Sequence, residues 1–255
     1  MSRRLPASLA ILAFAVGAAA CGDDDDSAQA SKPRLVVSAA SSMTEALTSC
    51  SQDYPDASVK LSFAGSDELA TQIEQGVKPD VYAAANTKLP DQLHQEGRLS
   101  NPVEFATNTF VLAVPKDSDI NSIEGLTQKG VKVVIGSKTV PIGSYTRDTL
   151  AKLPADQEKA ILANVRSEEP DVKGIVGKLI QGAADAGFTY VTDVNATNGE
   201  LKAVDLPTAV EPQVTYAAGV VSGAKQPDAG KRFVDGLVSG SCADALQKAG
   251  FGPAP

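Results

Sequence analysis

The sequence predicts an α/β protein of two lobes joined by two chain crossings. Short apolar runs alternate with helix-length segments, the order expected of a parallel sheet covered by helices. The alternation restarts near residue 132, after a first set of similar size. The last strand and helices have no unit of their own, and most simply return to the first.

In the first unit, residues 34–38 read as a strand and 44–54 as a helix. Residues 59–63 place apolar side chains at alternate positions, the period of a strand. A helix over 68–75 ends at Gly76, a buried strand covers 81–84, and a helix over 89–96 ends at Gly97. Glycine just past a helix supplies the left-handed turn that closes it. A strand over 110–114 stops at Pro115. In the second unit, 132–135 is a strand, 144–152 and 172–181 are helices, and 186–190 and 201–205 are strands. An apolar strand over 215–221 and helices over 230–237 and 242–250 complete the chain. These boundaries give lobe 1 residues 33–112 and 217–255, lobe 2 residues 113–216, and a hinge near 111–115 and 213–217.

The first residues carry a different signal. Arg3 and Arg4 precede an apolar run over residues 5–20 that is too short and alanine-rich for a membrane span. Residues 1–20 therefore read as a secretory signal peptide. Three alanines stand directly before Cys21, which resembles the lipobox of bacterial lipoproteins, with Ala18 where leucine is usual. Lipidation of Cys21 would leave residues 21–32 as an acidic tether on the outer face of the plasma membrane. The four aspartates at 23–26 read as solvated chain, since adjacent acids in a flexible segment have no fixed geometry for a cation.

Composition excludes several functions. The chain has 31 acidic and 23 basic residues and no lysine- or arginine-rich stripe, which argues against nucleic acid. It has one histidine, His94, on a polar helix face, no G-x-S-x-G and no Cys/His cluster, so no enzyme is expected and no cofactor. Residues 130–138 have the wrong glycine spacing for a phosphate loop. Aromatics are 5% with no tryptophan, too few for an adhesive surface. Beyond the leader, Cys50 and Cys242 are the right number for one disulfide in an oxidising compartment; the alternative is a pair of small buried apolar side chains.

Ligands of open α/β sheets sit at the carboxyl ends of strands, beside helix N-termini. Four strand-to-helix loops meet that description: residues 38–44, 64–68, 136–145 and 168–173. Ser42-x-x-Glu45 fits a capping box, and Gly65-Ser66 a second helix start. Pro141 and Pro170 precede or open two more. Each alone is ordinary. Together they would aim free N–H groups and positive dipole ends at one cleft. Neither of the first two loops holds Lys or Arg, so the site would hold an anion with neutral dipoles. A fully deprotonated oxyanion such as molybdate or sulfate needs only donors. Monohydrogen phosphate also needs an acceptor, and Asp67 is one candidate. Arg147, about one helical turn past Ile142, reads as an exposed salt-bridging residue.

The segments "VVSAASSMTEAL", "SFAGSDELATQIEQGVKPDVYAAAN", "VPIGSYTRDTL", "PDVKG", "GFTYVTDV" and "LQKAGFG" occur in that order. They resemble the bacterial molybdate-binding proteins of molybdate ABC transporters from about Arg34 to Phe251. The resemblance implies a type II periplasmic-binding-protein fold closing over molybdate or tungstate and delivering it to a membrane permease. A monomer is expected. The other outcome is a binding protein for a different oxyanion, such as sulfate or phosphate. By the same resemblance the ligand, molybdenum held as molybdate, would be bound by Ser42, Ser66, the N–H groups of Ile142 and Val172, and the Tyr190 hydroxyl. Ser41 competes with Ser42 for the first of these places. Without the resemblance, Tyr190 reads as a core ring with its hydroxyl at the rim.

Overall fold

A computed structural model describes residues 32–255 apart from Asp53. The signal peptide, the Cys21 lipidation site and the tether up to residue 31 lie outside the described residues.

The first lobe opens with β1 (Arg34–Ala40), a 3-10 turn at Ser41–Met43 and α1 (Thr44–Gln52). There follow β2 (Ser58–Ala64), α2 (Ser66–Glu74), β3 (Val81–Ala84), α3 (Lys88–Gln95) and β4 (Val103–Asn108). The second lobe comprises β5 (Phe110–Pro115), β6 (Val133–Gly136), α4 (Pro141–Leu150), α5 (Ala155–Ala163), β7 (Val165–Glu169), α6 (Val172–Ile180), β8 (Ala186–Tyr190), α7 (Val191–Asn195) and β9 (Leu201–Val204). The chain returns through β10 (Val214–Val220) to α8 (Pro227–Val238) and α9 (Ser241–Ala249).

The strands form two five-stranded sheets, β2-β1-β3-β10-β4 and β7-β6-β8-β5-β9. Central strands β3, β6 and β8 are buried at every residue, whereas edge strands β2 and β7 are partly exposed. Continuous apolar runs in the middle and polar runs at the rim are what helix-covered sheets require.

The sheets are mixed rather than all-parallel. β1, β2 and β3 run parallel, but β10 is antiparallel to both β3 and β4. The reason is the hinge. β4 ends and β10 begins at the crossings, where Asn108 pairs with Val214, so the two must run in opposite directions. In the second sheet β5 enters from the hinge and lies antiparallel to β8 and β9.

Both crossings fall earlier than the sequence suggested. β5 pairs with β8 from its first residue, Phe110 to Tyr190, so the chain changes sheets at Thr109 rather than after Leu112. The return strand is already in the first sheet at Val214, not at Ala217. An unbroken buried run over Phe110–Val114 gives no local sign of where one lobe stops.

Helices α1 and α9 are tied by a disulfide between Cys50 and Cys242, with Cα atoms 4.9 Å apart at a sequence separation of 192. The edge-on pair Tyr54–Phe233, centroids 5.3 Å apart, seats α8 on the same core. Closing so long a loop restricts the unfolded chain more than the folded one. Replacing both cysteines by alanine should cost about 2–4 kcal/mol in denaturant unfolding. An unchanged midpoint would show that the bridge adds nothing to packing already present.

Candidate functional site

Both sheets direct helix starts at the space between the lobes. Two helices start earlier than the sequence expectation, and both starts matter here. α2 starts at Ser66 rather than residue 68, and α4 at Pro141 rather than 144. Ser66 and Ile142 therefore lie in first turns, where N–H groups have no partner within the helix. Val172 opens α6, capped by Asp171, whose Oδ1 accepts from the Gly174 N–H at 3.0 Å.

Ser42, Ser66, Ile142, Val172 and Tyr190 line one cavity, with Ser41 beside Ser42. All are buried. The cavity is small, ≈ 10 Å³, about the room of one water molecule. None of its lining side chains carries a charge.

The expected capping box does not form. The Ser42 hydroxyl lies 2.9 Å from the Tyr216 hydroxyl. Both oxygens of Glu45 instead accept from Lys173 Nζ across the cleft, each at 2.9 Å. The cause is the 3-10 turn, which makes Ser41–Met43 a separate turn ahead of α1 and leaves α1 without a side-chain cap from Ser42. A facing ammonium is also a stronger partner for a carboxylate than a backbone N–H.

Ser66 is held twice: its Oγ accepts from the Ala85 N–H at 3.1 Å and its carbonyl accepts from the Tyr82 hydroxyl at 2.7 Å. Tyr190 ends β8, with its ring edge-on to Phe110 and Tyr216. Its hydroxyl is buried and has no hydrogen-bond partner among the described residues. Burial first, then Tyr216, Tyr145 and Asp193 nearby, hold its proton well above the ordinary phenol range. It is a donor.

The charged groups stand outside the cavity. Arg147 is half-buried, donating to the Gly136 and Gly143 carbonyls at 2.9 and 3.0 Å and pairing with Glu168 at 2.7 Å. Asp67 accepts from the Thr139 hydroxyl of the other lobe and does not line the cavity. Lys173 also lies 3.3 Å from the buried carboxylate of Asp193. Burial pushes Asp193 up to about 7, against the pull of Lys173. For Lys173 the carboxylates of Asp193 and Glu45 outweigh burial, so its pKa is raised and it stays an ammonium. His94 is exposed and bonds the Leu99 carbonyl at 3.0 Å. Among the described residues no group of His, Cys, Asp and Glu is arranged to hold a metal ion.

Sequence reasoning did not find Tyr216, Asn108, Lys173 or Asp193. Tyr216 lies inside an apolar strand, Lys173 meets Glu45 only through the closed arrangement of the lobes, and Asp193 joins them only through Lys173. No local pattern marks any of them.

Two α/β lobes with helix starts converging on a crevice define a solute-binding protein. The chain belongs to the family of bacterial extracellular solute-binding proteins, whose profile matches residues 35–252. This is a family of binding proteins working outside the cytoplasm, not of catalysts. Within it the chain is ModA-like. It is 34% identical over 247 residues to the molybdate-binding protein ModA of Mycobacterium tuberculosis H37Rv, with 92% of each chain covered. A Clostridium difficile substrate-binding domain assigned to a molybdenum ABC transporter is 27% identical, with a TM-score of 0.66 over 88% of this chain and 100% of that one. The sulfate-binding protein SubI of Mycobacterium tuberculosis shares the fold at 13% identity, with a TM-score of 0.77 and 87% of each chain covered.

Gly65 shows how closely the lobes meet. A Cβ there would lie 2.5 Å from the Pro170 carbonyl oxygen and 3.3 Å from Val140, both across the cleft. Its φ of −59° suits any residue. Gly65→Ala should therefore leave both lobes folded and hold them apart, seen as a larger radius of gyration in small-angle scattering. Unchanged compactness would mean the two loops can shift to make room.

Proposed function

We propose that the protein captures molybdate, and tungstate, outside the cytoplasm and delivers it to the membrane permease of an ABC transporter. It acts as a monomer tethered through lipidated Cys21. The observation that carries this reading is a small cavity lined by four helix starts, the three serines Ser41, Ser42 and Ser66, and an unpartnered buried phenol, with no charged side chain.

Each helix N-terminus carries roughly half a positive charge. Four of them favour a dianion without the desolvation cost of burying lysine or arginine beside it. The Ser42, Ser66 and Tyr190 hydroxyls and the Ile142 and Val172 N–H groups would hold its oxygens. They come from both lobes, so the anion completes the closed form, which Lys173–Glu45 and Thr139–Asp67 also bridge. The permease would distinguish loaded from empty protein by that closure.

The same chemistry supports a choice among anions. Sulfate is smaller than molybdate and would leave some rigidly placed donors unmet, which is costly in a buried site. Monohydrogen phosphate would need an acceptor for its proton. Asp67, the candidate from sequence, does not line the cavity; its Oδ2 accepts from Thr139 of the facing lobe, and its Oδ1 is buried without a partner among the described residues. The likeness to ModA favours molybdate over sulfate.

Titration calorimetry with molybdate, tungstate, sulfate and phosphate tests the proposal. Molybdate and tungstate should bind in preference to the other two. Ser42→Ala and Ser66→Ala should each weaken molybdate binding about 10- to 100-fold, the worth of a hydrogen bond to a charged group. Tighter binding of sulfate or phosphate would overturn the choice of ligand.

A further inference from the structure

In the proposed reading, lobe 2 meets the anion with the Ile142 and Val172 N–H groups and the Tyr190 hydroxyl. The first turn of α4 has one such N–H to give. Pro141 has none, and the Gly143 and Ser144 N–H groups both turn back on the Val140 carbonyl, each at 3.0 Å. Ile142, which lines the cavity, is the residue of that turn whose N–H is left over among the described residues. Its position therefore depends on how the turn itself is held.

The turn is pressed against the end of β6. A Cβ on Gly136 would stand 2.6 Å from the Gly143 nitrogen, and one on Gly143 would stand 2.5 Å from the Gly136 carbonyl oxygen. Glycine at both places lets the two backbones come this close. Arg147, one turn further along α4, spans the contact. Its Nη1 donates to the Gly136 carbonyl at 2.9 Å and to the Gly143 carbonyl at 3.0 Å. Its Nη2 donates to Glu168 Oε1 at 2.7 Å. Glu168 lies on β7, which pairs in parallel with β6 and leads to α6 and Val172. The next residue, Glu169, has Oε1 3.3 Å from Lys178 of α6. One guanidinium thus ties the start of α4 to both strands from whose ends the two N–H donors emerge.

Arg147 does not line the cavity, and Glu168 pairs its charge. What it supplies is a rigid planar fork that reaches three oxygens at once, which the single ammonium of a lysine on its flexible stem does not reproduce. We propose that Arg147 is a positioning residue of the anion site, which clamps the α4 first turn to β6 and β7 and so fixes the Ile142 N–H at its distance from the Val172 N–H. The inference rests on the oxyanion reading of the cavity. It replaces the plain surface ion pair that the sequence suggested for Arg147.

Calorimetry and amide hydrogen exchange followed by nuclear magnetic resonance, both on the full-length protein with molybdate, test this. Arg147→Met should weaken molybdate binding about 10-fold, the lower end of what a hydrogen bond to a charged group is worth. Arg147→Lys should lose nearly as much, although it keeps the charge. At saturating molybdate the Ile142 amide should exchange faster in both variants, with Val172 and the central strands β6 and β8 unchanged. Glu168→Gln, a change at an exposed side chain, should give a smaller loss with the same Ile142 signature, and decides the matter if Arg147→Met fails to fold. Full rescue by lysine would mean that Arg147 acts through its charge. Faster exchange spread through β6 and β8 would make it a residue of general stability. Either result, or an Ile142 amide that exchanges as before, would overturn the inference and leave the oxyanion reading standing. Failure of the unaltered protein to bind molybdate, tungstate, sulfate or phosphate would remove that reading, and this inference with it.

Discussion

Four helix starts aimed at one small space bring like poles together, and on their own they would repel. The α/β architecture tolerates this because each helix is held by its own lobe. α2 and the turn before α1 sit on one sheet, α4 and α6 on the other. The lobes can approach only if something offsets the converging positive ends. Acidic groups do part of this from outside the cavity: Glu45, Asp67 and Asp171 lie at or near first turns. The interior is left to hydroxyls and N–H groups, all of which ask for an acceptor. The unpartnered Tyr190 hydroxyl shows this demand most sharply, since buried polar groups are seldom left unbonded.

The hinge follows from the same topology. Because the chain leaves the first sheet through β4 and returns through β10, these strands lie side by side and antiparallel at the crossing. That places Asn108 and Tyr216 together beneath Ser42, although 108 residues of sequence separate Tyr216 from Asn108. It also sets Lys173 opposite Glu45 and Thr139 opposite Asp67, on either side of the cavity. Exposed pairs of this kind contribute little individually. Their value lies in register: they define one closed arrangement in which the helix starts face each other.

Much of this was legible in the sequence for a physical reason. Buried central strands such as Val81–Ala84 are continuous apolar runs, and helices end at glycines that adopt positive φ, as Gly76 and Gly97 do. The strand-to-helix loops could be located from that alternation alone. Two of the four edge strands, Ser58–Ala64 and Leu201–Val204, are legible as apolar-bearing runs, but Val103–Asn108 and Val165–Glu169 alternate polar and apolar residues too weakly to be read as strands. Helix Ala155–Ala163 was missed because it buries only Ile161. Ser42-x-x-Glu45 misled, since a local motif cannot reveal that Glu45 has a better partner in the other lobe. Tyr216 was invisible as a site neighbour until the return strand was placed.

The central claim is that one oxyanion is held between the lobes by donors from both. Diffraction from crystals grown with molybdate, recorded on either side of the molybdenum absorption edge, tests it most directly. The account predicts a single strong anomalous peak in the cavity, with the surrounding oxygens within hydrogen-bond reach of Ser42 and Ser66 on one side and of Ile142, Val172 and Tyr190 on the other. A peak bound to one lobe alone, or lying outside this cavity, would contradict it.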